Sequence, residues 1–96
     1  MPRFIRLASL TDKAAANVVN LSEMLGAAKQ AMAKHGVTLV DAHVTLGHYD
    51  VIAIIEAPDA EAAPAASALI AAQGNFRAET LPATPVTDFL QRLGSD

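Results

Sequence analysis

Two runs rich in β-branched and aliphatic residues, Val37–Leu46 and Tyr49–Ala57, meet at the dipeptide Gly47-His48 near the middle of the chain. Such runs suit a pleated, half-buried surface. Glycine at the first central position of a two-residue connection suits a type II′ turn, whose twist matches that of the strands it joins. A β-hairpin is therefore expected there, and everything else must be arranged around it.

On each side of this hairpin lies one helical stretch and one further strand. Phe4–Leu10 is short, mostly apolar and ends at Thr11-Asp12, which reads as a strand followed by a helix start. Val18, Leu21, Leu25, Ala28 and Met32 then recur at helical spacing, and Gly36 supplies a stop. Asn20-Leu21-Ser22-Glu23 offers a second capping sequence, so one helix or two short ones both fit. After the hairpin, Pro58-Asp59 ends the strand and Asp59 can cap the alanine-rich stretch Ala60–Gln73, closed by Gly74-Asn75. Pro64 lies early in that stretch and predicts a start later than Ala60. Phe76–Leu81 reads as a fourth strand, and Thr84-Pro85 opens a last helix through Leu93 with proline at its first position. The order strand, helix, strand, strand, helix, strand predicts an α+β fold of the ferredoxin-like βαββαβ kind. Its four-stranded antiparallel sheet carries the helices on one face, with a C-terminal helix added.

A two-residue loop sets the register. Leu46 would face Tyr49, Val44 Val51, Ala42 Ala53 and Val40 Ile55, giving a wholly apolar side for the helices. The alternate pairs, Thr45 with Asp50, His43 with Ile52, Asp41 with Ile54 and Leu39 with Glu56, make a mixed face. On the outer strands, Ile5 and Leu7 are expected on the helix side. Phe4, Arg6 and Ala8 would join Arg77, Glu79 and Leu81 on the mixed side.

Ninety-six residues suffice for one domain, spanning 1–96, and leave no room for a second core. Hydrophobic residues make up 52% of the chain but aromatics only 4%, so the excess is largely alanine and each residue contributes little buried area. Self-association through the mixed face would add apolar burial, which makes a homodimer or higher homo-oligomer the expected state. A net charge of −3 from scattered residues, with no basic stripe, argues against a nucleic-acid partner. The absence of cysteine removes disulfides, thiolate metal sites and a cysteine nucleophile. The N-terminus alternates charged and apolar residues, and Asp, Glu or Pro interrupts every long apolar run. A soluble, cytoplasmic protein without a membrane partner is expected.

The block Gly47-His48-Tyr49-Asp50, followed by Val51–Ile55 and Glu56-Ala57-Pro58-Asp59, resembles the signature of the GYD-domain family, named for its Gly-x-Tyr-Asp motif. Gly74-Asn75-Phe76-Arg77, Glu79-Thr80-Leu81 and Thr11-Asp12 extend the resemblance over nearly the whole chain. Here His48 fills the variable slot, and Pro64 interrupts the second helix. That family is similar to the dimeric α/β-barrel group, in which two ferredoxin-like protomers stack sheet against sheet. The resemblance implies this fold and assembly; it brings no activity, because one fold hosts many chemistries.

Candidate chemistry is sparse. His43, Tyr49 and Asp50 are the candidate catalytic residues: Tyr49 and Asp50 could act as acid and base on a bound molecule, with His43, His48 and Asp41 nearby. The structural reading has Tyr49 packing over the helices with its hydroxyl bonded, and Asp50 holding a donor near the turn. His43 and His48 lack any metal-ligand spacing, so neither a metal nor a cofactor is expected. Arg6, Glu56, Arg77 and Glu79 are the candidate ligand-binding residues; they would form either cross-strand ion pairs or a charged pocket for an anion. The leading reading is a GYD-domain module of unassigned biochemistry, homo-oligomeric and able to enclose a small ligand. The alternative is a cofactor-independent enzyme, a small monooxygenase or isomerase acting on an apolar molecule. A trimeric nucleotide-binding regulator fits less well, since no phosphate-binding run is present.

Overall fold

The computed structural model describes residues 1–94. Its elements are β1 (Arg3–Leu10), α1 (Asp12–Ala16), a 3₁₀ turn (Val18–Asn20), α2 (Leu21–Lys34), β2 (Thr38–Val44), β3 (Val51–Glu56), α3 (Ala62–Ala72), β4 (Phe76–Ala83) and α4 (Val86–Arg92). The strands form one antiparallel sheet in the order β2-β3-β1-β4, with α2 and α3 packed side by side on one face. This is the ferredoxin-like α+β arrangement with an added C-terminal helix. No helix among the described residues is long and apolar enough to cross a membrane.

Local chemistry accounts for the boundaries. Thr11 caps α1 by accepting the Ala14 amide at 3.2 Å, while its own hydroxyl donates to the Gly74 carbonyl at 2.8 Å. The helical stretch before the hairpin is two helices joined by the 3₁₀ turn, and α2 ends where Gly36 adopts φ +70°. Asp59 Oδ1 accepts the amides of Glu61 and Ala62, and α3 starts at Ala62. Pro64 is tolerated because first-turn amides have no acceptor within the helix. Pro85 stands just ahead of α4 instead of at its first position.

Two expectations about the faces need correction. On β1 the phase is opposite to that expected: Phe4, Arg6 and Ala8 are buried against the helices, opposite Ile55, Ala53 and Val51, while Ile5 and Leu7 lie on the open face. Both phases of Phe4-Ile5-Arg6-Leu7-Ala8 contain apolar residues, so strand periodicity does not by itself choose between them. The small Ala53 beside Arg6 leaves room for the guanidinium, and Ser67 of α3 accepts a hydrogen bond from it. On β2, Val44 and Ala42 pair with Val51 and Ala53 as expected, but Leu39, not Val40, faces Ile55. A bulge between Leu39 and Asp41 inserts Val40 as the extra residue. The longer Leu39 thereby packs against the core, and Val40 is left 47% exposed.

The core lies between sheet and helices, centred on Phe4, Ile55, Ile70, Met32 and Phe76. Ala28, Ala31, Ala62, Ala63 and Ala66 supply most of the helix side. Such small contacts let the helices approach closely.

Candidate functional site

The sheet face away from α2 and α3 is the most distinctive exposed surface. It carries Ile5 and Leu7 from β1, Ile52 and Ile54 from β3, and Leu81 from β4, an apolar centre that neither α2 nor α3 covers. Around it stand Arg3, Glu56, Arg77, Glu79, Asp41 and His43. Arg3 donates to Glu56 across the β1–β3 pair at 3.0 Å. Both side chains are about one-third exposed, so the pair contributes little to stability. His43 and Asp41 contact each other at 3.1 Å on the solvated edge strand.

The Gly-His-Tyr-Asp loop closes one end of this face, and it is not the two-residue turn expected. Thr45 donates its amide to the Asp50 carbonyl at 2.8 Å, but Leu46 and Tyr49 do not pair. The cause is a set of bonds pulling the chain from β2 toward β1. The Asp50 amide donates to the Ala8 carbonyl at 2.8 Å, Asp50 Oδ2 accepts the Leu10 amide at 2.8 Å, and Ser9 Oγ donates to the His48 carbonyl at 3.0 Å. Thr45 Oγ1 holds the Tyr49 carbonyl at 2.7 Å, and Gly47 takes φ +110° to complete the bend.

Tyr49 accordingly does not pack over the helices. Its hydroxyl donates to Glu79 Oε2 of β4 at 3.1 Å, which brings the ring to the open-face side. Donation to the carboxylate raises the tyrosine pKa above its ordinary value, with a smaller contribution from desolvation and from the charge of Glu79.

The candidate catalytic residues are thus engaged with separate partners: His43 with Asp41, Tyr49 with Glu79, Asp50 with the backbone of β1. Among the described residues, no cluster of three or more His, Asp or Glu side chains could hold a metal ion. The candidate ligand-binding residues are divided by the sheet. Glu56, Arg77 and Glu79 lie on the open face, whereas Arg6 is buried on the other, 5% exposed. Arg6 Nη1 donates to Ser67 Oγ at 2.7 Å, and burial holds the guanidinium pKa below its usual range. Ser67 was not singled out from the sequence, although a lone serine in an alanine helix was the available signal.

One further surface went unrecognised. Val86 and Phe89 of α4 and Leu93, its C-terminal cap, follow helical spacing and are 71%, 52% and 65% exposed, so this short helix and its cap offer an apolar stripe to solvent.

A relative from Thermus thermophilus, named glutamine synthetase and cystathionine beta-lyase binding protein, is 36% identical over 94 residues, covering 97% of this chain and 99% of its own. The crystal structure of TTHA0845, from the same organism, aligns with a TM-score of 0.55 at 21% identity, covering 88% of this chain and 95% of that one, a likeness of fold. The GYD domain family model matches residues 4–93, from the first strand to the end of the last helix, and with that loop and sheet order in place the chain belongs to the GYD-domain family.

Proposed function

We propose that this chain is a docking module: a homo-oligomer assembled through its open sheet face that binds a larger protein instead of transforming a substrate. The observation that carries the reading is the near full-length, 36% identical relative named for binding two enzymes, glutamine synthetase and cystathionine β-lyase. Its support in this molecule is physical. The open face combines an apolar centre with a charged rim, the anatomy of a protein interface, and α4 adds Phe89 as an exposed aromatic anchor. The candidate acid and base groups are each engaged with a separate partner, His43 with Asp41, Tyr49 with Glu79 and Asp50 with the backbone of β1, instead of converging.

Purified chain mixed with glutamine synthetase, or with cystathionine β-lyase, should co-elute on gel filtration with at least one of them. Phe89→Asp should weaken that complex, since it places an unpaired charge on the exposed aromatic anchor. Failure to associate with either enzyme at micromolar concentrations, or turnover of a small substrate by the isolated protein, would defeat the proposal.

A further inference from the structure

Lys13 and Glu23 carry opposite charges, line the same cavity and form no ion pair with each other. The cavity arises where α1 meets α2. Thr11 ties the start of α1 to the turn between α3 and β4, its hydroxyl donating to the Gly74 carbonyl at 2.8 Å and its amide to the Asn75 carbonyl at 3.1 Å. The 3₁₀ turn at Val18–Asn20 then redirects the chain, so that α1, the first turn of α2 and Asn75 enclose a space of about 270 Å³. The Lys13 ammonium stands beside the α3–β4 turn, 3.6 Å from where a Gly74 Cβ would lie.

Three carboxamides, from Asn17, Asn20 and Asn75, stand around the same space. Asn17 Nδ2 donates to the Lys13 carbonyl at 2.9 Å, which fixes that side chain and leaves its oxygen able to accept. Asn20 occupies the N-cap position of α2, yet its side chain makes no capping bond. The buried Ala14 and Met24 supply an apolar floor. An ammonium, a carboxylate and carboxamides above such a floor match a small molecule that carries both charges and a short apolar chain. A simple anion would meet Lys13 and be repelled by Glu23, and a simple cation would meet the reverse. The volume lies just below the roughly 300–1,000 Å³ of pockets for drug-sized ligands, which leaves room for a molecule of amino-acid size.

We infer that this cavity is a binding site for a free α-amino acid with a short apolar side chain, its carboxylate on Lys13, its ammonium on Glu23 and its side chain over Met24. The carboxamides complete the hydrogen bonds of the two charged groups. Lys13 and Glu23 are exposed, so each contact is screened by solvent and the affinity is about millimolar. None of the lining residues lies on the open sheet face, so the site stands apart from the docking role.

The test uses L-norvaline, followed in ¹⁵N-labelled protein through the side-chain amide resonances of Asn17, Asn20 and Asn75 at constant ionic strength. Sodium valerate, which lacks the ammonium, and L-norvalinamide, which lacks the carboxylate, are the comparisons. Norvaline should shift these resonances saturably. Each comparison should bind about fivefold more weakly or worse, the loss of one charge-assisted contact. Lys13→Gln and Glu23→Gln change exposed positions, so both should stay folded, and each should weaken norvaline binding to a similar degree. Lys34→Gln, at the far end of α2, should bind norvaline as the parent does, which separates the site from an effect of net charge. Absence of a saturable shift, an equal response to valerate or norvalinamide, undiminished binding by either Lys13→Gln or Glu23→Gln, or an equal loss in Lys34→Gln overturns the inference.

Discussion

The Asp50 carboxylate accepts the Leu10 amide at 2.8 Å while the Asp50 amide donates to the Ala8 carbonyl at 2.8 Å, so one residue ties the hairpin loop to two nearby positions of β1. The aspartate of the Gly-x-Tyr-Asp motif thus has a structural task here. It satisfies an amide of β1 that lies just past the end of the β3 ladder. Asp50→Ala should destabilise the fold by about 1–3 kcal/mol, the range for a lost hydrogen bond to a charged group with its donor left unmet. Asp50→Asn, which keeps a carbonyl oxygen, should cost less. Urea unfolding of the two variants checks both the size and the order.

Gly47 has φ +110° and nothing within 4 Å of the position a Cβ would occupy. The objection to a side chain there is backbone strain alone, without a clash. Gly47→Val should therefore lose about 1 kcal/mol or more, and Gly47→Asn distinctly less, because asparagine tolerates positive φ better than a β-branched residue. Equal stability of the valine variant and the parent would mean that the loop relaxes into another bend.

Element order was legible because each boundary carries a local signal: Asp59 before α3, Gly36 after α2, the valine- and isoleucine-rich runs of β2 and β3. The phase of β1 was not, because it rests on a tertiary fact. Arg6 is admitted to the helix side only because Ala53 is small and Ser67 of α3 supplies an acceptor sixty-one positions away. The Val40 bulge likewise follows from packing of Leu39 against the core, which strand periodicity cannot express. The loop register failed for a similar reason. The bonds of Asp50 and Ser9 reach to and from β1, and a hairpin read in isolation contains no third strand. The candidate residues His43, Tyr49 and Asp50 were close in sequence, and the fold gives them different partners.

Tyr49 is the single tyrosine of the chain, so its ionisation can be followed directly in the ultraviolet. Its folded pKa is raised above the ordinary 10.0, first by donation to Glu79 and then by lesser desolvation and charge effects. A raised folded pKa means that the protonated phenol is favoured in the native state. The associated stability is fully present below pH 10.0 and is lost as pH rises through the higher, folded value. The native titration midpoint should lie above that of the urea-unfolded chain, and Glu79→Gln should move it back toward the unfolded value. A native midpoint equal to the unfolded one would show that the Tyr49–Glu79 bond is not kept in solution.

Self-association should depend on Ile54, which sits on the open face between Ile5 of β1 and Asp41 of β2. Two copies related by a two-fold axis would bury Ile5, Leu7, Ile52, Ile54 and Leu81 against their counterparts. Arg77 of one copy, which has no carboxylate partner among the described residues, can meet Glu56 or Glu79 of the other. Apparent stability would then rise with protein concentration. Ile54→Asp puts a charge at the centre of that contact, where neither water nor a counter-charge is at hand, and should yield a folded monomer or a protein that unfolds at lower temperature. The helix side of the sheet is untouched by the substitution, because Ile54 points away from α2 and α3; far-ultraviolet circular dichroism should therefore retain its α+β character if the monomer survives. Light scattering on the parent and the variant decides: an Ile54→Asp protein that remains folded and keeps the parent mass places the interface on another surface, with the exposed Val86, Phe89 and Leu93 stripe of α4 next to be tested.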